Sequence, residues 1–144
     1  MALPTGLRFE KFVASIYSSR YRSVNHDVIL KKKNYLAQFD IVYGSFSKHY
    51  IECKYKSINN VSLSSIATFY AKLELFNISP RKGIVITNAD FTPRAQVYAK
   101  KKHLTLINGD QLEKLYVQSL SYLAKRRYKK NNLSLDSMIL SYRT

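Results

Sequence analysis

Apolar and polar positions alternate with period two over three stretches, Ser23 to Leu30, Leu36 to Tyr43 and His49 to Tyr55, which predicts three β-strands. The turn formers Gly44, Ser45 and Ser47 join the second and third stretches into a hairpin turning about Phe46. Lys31-Lys32-Lys33 forms the turn between the first and second, giving a three-stranded antiparallel unit. Helical spacing predicts a first helix over Gly6 to Arg20, capped by Thr5, with Phe9, Phe12, Val13, Ile16 and Tyr17 as its core stripe. After a polar linker, Ser57 to Val61, a second helix runs from a Ser62 or Ser64 cap to Phe76. It buries Leu63, Ile66, Phe69, Tyr70, Leu73 and Phe76 and leaves Lys72 and Glu74 on the surface.

Pro80 and Gly83 lead into the apolar run Ile84 to Thr87, the pattern of a strand covered on both faces. Thr92 as N-cap with Pro93 at the first helical position starts a helix that ends in Lys100-Lys101-Lys102, and Leu104 to Ile107 is the last strand. This strand-helix-strand unit requires a right-handed crossover. Gly109 and Asp110 open a long final helix with Leu112, Leu115, Tyr116, Leu120 and Leu123 at its apolar positions. That helix ends in the basic run Lys125 to Lys130, and Asn131-Asn132 breaks it before an amphipathic tail over Leu133 to Tyr142. The expected fold is α/β: one domain over residues 1–130, its mixed sheet flanked by helices, followed by a short helical tail over 131–144.

Charge changes the picture most. The chain carries 24 Lys and Arg against nine Asp and Glu, a formal net charge of +15. Such an excess implies a polyanion partner, with nucleic acid as the default and a lipid surface disfavoured by the absence of any lipidation motif. Candidate contacts are the turn lysines Lys31, Lys32 and Lys33, then Lys56, and then Lys125, Arg126 and Arg127, where Tyr128 interleaves. Arg94, beside a helix N-terminus at the end of a strand, is either a phosphate contact or a neighbour of an ordinary cap. No apolar run is long enough to span a membrane, and with four glycines no phosphate-cradling loop for a nucleotide cofactor exists. The single cysteine, Cys53, cannot form an internal disulfide and suits a reducing, cytoplasmic setting. Arg8, Arg20 and Arg22 with nearby serines have the composition of an organellar import segment, against which Glu10 and the helical pattern argue. His26, His49 and His103 are scattered and suggest no zinc site.

The candidate chemistry lies in the hairpin. Alternation puts Phe39, Ile41 and Tyr43 on one face and Asp40 and Val42 on the other; across the turn, Ile51, Cys53 and Tyr55 oppose Glu52, Lys54 and Lys56. A turn about Phe46 sets Asp40 opposite Glu52, and a slip of two residues sets it opposite Lys54 on the same face. Two carboxylates so close need a cation between them, and oxygen donors suit Mg²⁺, with Mn²⁺ as a substitute. A cation with a neighbouring lysine is the apparatus of phosphodiester hydrolysis. Glu10 flanks the first helix's stripe, as a third carboxylate or as a surface charge facing Lys11 and Arg8. An acid-x-Lys triplet is expected about once by chance in a chain of this composition, so Glu52-Cys53-Lys54 counts only in the company of Asp40 and Glu10.

Several segments taken together resemble the Mrr-like catalytic domain of type IV restriction endonucleases, within the PD-(D/E)xK nuclease superfamily. They are Gly6-Leu-Arg-Phe-Glu10-Lys-Phe-Val, Phe39-Asp40-Ile-Val, Tyr50-Ile-Glu52-Cys-Lys54, Gly83-Ile-Val-Ile-Thr87 with Phe91-Thr92 and Ala95, and Leu106-Ile-Asn-Gly109-Asp-Gln-Leu112. The resemblance covers about residues 6 to 117. It implies a restriction-endonuclease-like core and Mg²⁺-dependent cleavage of DNA. It further implies metal ligation at Asp40 and Glu52, catalytic assistance from Lys54, and Glu10 as a helix-borne acid. Ala37-Gln-Phe-Asp40 stands where many relatives have Gly-Gly-Ile-Asp, and Glu52 stands where many have Gln. The separate DNA-recognition domain of full-length relatives has no counterpart here, so a repair or recombination role fits as well as restriction. A non-catalytic nucleic-acid-binding module on the same fold is the alternative, and a homodimer is compatible with either.

Overall fold

The computed structural model describes residues 4–142. Its centre is a five-stranded mixed sheet in the order β1-β2-β3-β4-β5, built from Val24–Lys32, Tyr35–Tyr43, His49–Lys54, Gly83–Thr87 and Thr105–Ile107. The first three strands are antiparallel; β4 joins β3 and β5 joins β4 in parallel. Both halves expected from the sequence are present, and they meet at β3. All five residues of β4 are buried, as its unbroken apolar run requires of a strand covered on both faces.

Two cores lie on either side of the sheet. On one side α1 (Thr5–Ser18) packs Phe9, Phe12, Val13 and Ile16 against Ile41, Ile51, Ile84 and Ile86, joined by Leu112 of α4 (Gly109–Ser119). On the other, α2 (Leu63–Leu75) and α3 (Pro93–Lys102) pack Ile66, Phe69, Leu73, Ala95 and Ala99 against Phe39, Val42 and Val85. Thr92 caps α3 by accepting the Ala95 N–H at 3.2 Å, and Pro93 sits at its first position, as the sequence signals. Gly44 has φ +104, and a side chain there would strike the Ser47 carbonyl, so the β2–β3 turn requires glycine.

Two expectations need correction. Helix α1 begins at Thr5 behind Pro4 as N-cap, so Thr5 is inside the helix rather than its cap. The long final helix is interrupted. Leu120 is extended at φ −80, ψ 149, and the Ser121 hydroxyl accepts the Ala124 N–H, starting a separate α5 (Tyr122–Asn131). A serine able to cap competes with helix continuation, and the new helix leaves Leu123 exposed instead of in the stripe. The segment past Asn132 carries a helix, as its amphipathic pattern suggests. Helix α6 (Leu135–Ser141) packs on α1 and sends Leu135 and Ile139 into the same core, Ile139 with no exposed surface.

If α6 belongs to the core, Ile139→Ala will destabilise the whole domain by about 2–4 kcal/mol, the range for emptying a fully buried aliphatic site. Denaturant unfolding will then show one cooperative transition displaced to lower midpoint.

Candidate active site

Hairpin β2–β3 pairs Ile41 with Ile51, Val42 with Tyr50 and Tyr43 with His49, the register of a turn about Phe46. One step further, beside Asp40 and Glu52, the ladder stops. There the Asp40 carboxylate takes over from the backbone: its Oδ2 accepts the Cys53 N–H at 2.8 Å. On the other flank β1 pairs His26 with Ile41 and Val28 with Phe39 but skips Asp27, whose φ of +48 lies in the left-handed region. Strand alternation therefore breaks at this point. Phe39 joins the α2–α3 core while Ile41 joins the α1 core, so the two do not share a face as strict period two required. The break frees the Asp27 and Asp40 side chains from a regular pleat.

Helix α1 supplies the next group. Phe9 is wholly buried against the sheet, and the adjacent Glu10 is thereby held at the break. Glu10, Asp27 and Asp40 each bring a carboxylate oxygen within 4.8 Å of the other two. Burial pushes the Glu10 carboxyl up to about 7, followed by the charges of Asp40 and Asp27, a hydrogen bond with Asp40, and the charge of Glu52. The Asp40 carboxyl is also raised, chiefly by burial and then by Glu52. The Cys53 N–H is the strongest opposing influence, with Lys72 and Lys54 also pulling it down. The buried Cys53 thiol is pushed well up by burial and by these carboxylates, so it stays protonated as a core group.

Glu52 belongs to a second, charge-compensated half of the site. Its Oε2 lies 3.4 Å from the Lys54 ammonium and its Oε1 3.2 Å from that of Lys72 on α2. Lys72 also donates to the Gln38 carbonyl at 2.7 Å and sits over the Phe39 ring, 4.8 Å from its centre. The Gln38 side chain in turn donates to Asp27 at 3.1 Å, linking the two halves. Three oxygen donors with unbalanced charge, next to a neutralised Glu52–lysine group, form a donor set that fits a hard divalent cation such as Mg²⁺ or Mn²⁺. Among the described residues no other such group of acid, His or Cys side chains forms.

Of the residues singled out in the sequence, Asp40 and Glu10 come together directly, with Glu52 and Lys54 adjoining. Asp27 and Lys72 went unrecognised. Asp27 sits in a strand read only for its apolar alternation, yet it faces Asp40 across a hairpin whose turn falls at Lys33-Asn34. Lys72 read as surface, but it follows Phe69 by three residues and so borders the buried stripe of α2.

The expected nucleic-acid contacts lie on separate elements. Lys31 and Lys32 end β1 and Lys33 forms its turn, all exposed. Lys56 follows β3, where its N–H donates to Asn88 Oδ1 at 2.7 Å. Arg94 is exposed at the start of α3, and α5 carries half-buried Lys125 with exposed Arg126 and Arg127. Among the described residues, no ion pair joins these to the carboxylates.

The raised Glu10 value carries a sign. Its folded pKa of about 7 lies above the ordinary 4.5, so the metal-free protein is favoured when Glu10 is protonated. That stability is lost as pH rises from about 4.5 through 7. Because Glu10 is half-exposed and screened, the loss is about 1 kcal/mol. In chelator-treated protein Tm will fall between pH 5 and pH 8 by an amount consistent with this, and Glu10→Gln will flatten the slope and raise Tm at pH 8.

Comparison with known proteins bears on this arrangement. The model of a family described as restriction endonuclease matches residues 4–116. No curated protein matches the sequence. Among solved structures, the protein of unknown function AF1548 superposes with TM-score 0.65 at 15% identity, over 91% of this chain and 80% of its own. Can2 from Sulfobacillus thermosulfidooxidans, solved with cyclic tetra-adenylate, superposes with TM-score 0.59 at 20% identity, over 78% of this chain and 34% of its own. MspJI restriction endonuclease, in complex with a 27-mer oligonucleotide, gives TM-score 0.53 at 18% identity, over 93% and 31%. At these identities the likeness is one of fold, and this chain corresponds to about a third of the latter two proteins.

Proposed function

The chain belongs to the restriction endonuclease family of the Mrr type, and from that premise we propose that it is a divalent-metal-dependent endodeoxyribonuclease. The observation that carries the metal dependence is the meeting of Glu10, Asp27 and Asp40 within 4.8 Å beside the Glu52–Lys54 pair. The proposed substrate is DNA, cut at internal phosphodiester bonds, and the same chemistry would serve restriction, repair or recombination. The net charge of +15 supports a polyanionic substrate, as does the oligonucleotide bound by the structural neighbour MspJI.

Asp40 is the central ligand in this reading, because the Cys53 N–H fixes one of its oxygens and leaves the other for the cation. Glu10 and Asp27 complete the donor set from opposite sides, and Glu52 contributes from β3. A bound Mg²⁺ or Mn²⁺ would neutralise charge on the scissile phosphate and make an attending water more acidic. Lys54 faces the same spot through Glu52. Its ammonium positions the attacking water and offsets the negative charge that develops at phosphorus. Lys31, Lys32, Lys33, Lys56, Arg94, Lys125, Arg126 and Arg127 hold backbone phosphates without reading bases.

In this scheme Asp40→Ala, Glu52→Ala and Lys54→Ala each reduce nicking of supercoiled plasmid about a hundredfold or more, while DNA affinity stays within about threefold. Asp27→Asn raises the Mg²⁺ concentration needed for half-maximal cleavage, by about tenfold if Asp27 is a direct ligand. Undiminished cleavage by the Asp40 and Glu52 variants would refute the site. Salt-dependent binding without cleavage in Mg²⁺ or Mn²⁺ would instead mark a binding module. Replacing Lys125, Arg126 and Arg127 together by alanine lowers the slope of log affinity against log salt by about 2 to 3 if all three touch phosphates.

A further inference from the structure

Lys72 is a lysine from the last turn of α2 whose ammonium reaches the site past the rings of Phe39 and Phe69. Its side chain is 22% exposed, its Nζ lies 4.8 Å from the centre of Phe39 and 5.7 Å from that of Phe69, and it ends between two strands. There it donates to the Gln38 carbonyl of β2 at 2.7 Å and to Glu52 Oε1 of β3 at 3.2 Å. These two partners flank the place where the β2–β3 ladder has run out at Ile41–Ile51. Lys72 therefore does what a backbone rung does elsewhere in the sheet. It ties two strands together, but with a charged group and at a side-chain carboxylate.

We propose that Lys72 is a positioning residue of the site, pinning Glu52 and the β2–β3 gap so that Lys54 is left to face substrate. The inference rests on the metal-dependent nuclease reading. Glu52 has two oxygens and two lysines, and the shorter contact is with Lys72. With Oε1 held, Glu52 need not be neutralised by Lys54, whose side chain is the more exposed of the two at 37%. The aromatic faces of Phe39 and Phe69 favour the cation in place, while low polarity around it strengthens its attraction to Glu52. The same positive charge opposes a second cation entering beside Glu52. Lys72 thus trades metal affinity for order, and its removal moves two measurements in opposite directions.

The test uses the full chain and its Lys72→Met variant, which keeps the stem over Phe39 and removes the charge. Mn²⁺ affinity is read by electron paramagnetic resonance, and single-turnover cleavage of linear duplex DNA is read in Mg²⁺. Lys72→Met will bind Mn²⁺ about fivefold more tightly, as expected for deleting a like charge near the cation, and will cleave about tenfold more slowly. Lys72→Arg, retaining charge and reach, will restore both toward wild type. Should the Met variant not fold, Lys72→Gln keeps a donor for Gln38 without the charge and is held to the same Mn²⁺ expectation. Mn²⁺ affinity that is unchanged or weaker in the uncharged variant, or an Arg variant that behaves like it, overturns the assignment. If the wild-type chain binds Mn²⁺ but does not cleave, the nuclease reading fails, while the Mn²⁺ comparison still decides whether Lys72 restrains Glu52.

Discussion

Like charges brought close together are the constraint on which this structure turns. Glu10, Asp27 and Asp40 come from a helix and two different strands, and nothing in the regular geometry of either element would force them together. They meet because both strands give up pairing at the same point: Asp27 adopts a left-handed backbone, and Asp40 exchanges a main-chain rung for a side-chain one. Strain and repulsion of this kind persist only where the surrounding fold overdetermines them. Here the overdetermination comes from Ile41 and Ile51 on one side and Phe39 and Phe69 on the other, all fully buried.

The two faces of the sheet have divided the work. The α1 side delivers acid through Glu10; the α2 side delivers base through Lys72. Glu52 and Lys54, on the strand shared by the antiparallel and parallel halves, stand between them. The charge balance follows from this arrangement. Glu52 is matched by two ammonium groups, whereas among the described residues no ion pair reaches the triad, and Glu10 and Asp40 hold their protons more tightly instead.

Much of this was legible in the residues. The hairpin register followed from Gly44 and the flanking alternation, and β4 was evident from four successive apolar or β-branched residues. The start of α3 followed from Thr92-Pro93. What escaped were the places where a local rule yielded to tertiary structure. Period-two alternation puts Phe39 and Ile41 on one face, and no signal in the strand itself announces that Asp27 will break it. A lysine one position from a helix's buried stripe reads as solvent-facing, because burying an ammonium is costly unless partners wait for it. Those partners, Glu52 and the Gln38 carbonyl, lie 20 and 34 positions away. Likewise Ser121 could cap a new helix or sit quietly within a long one, and α6 became visible as core only when α1 was there to receive it.

The packing of α6 on α1 has a consequence in time as well as in space. The helix that carries Glu10 is made well before α6: Leu135 and Ile139, which cover part of its apolar stripe, emerge more than a hundred residues later. Arg8, two positions before Glu10, is likewise tethered to the Leu140 carbonyl. A growing polypeptide thus holds an acid whose support has not yet been synthesised. On the ribosome, α1 lacks this part of its packing until α6 has been made.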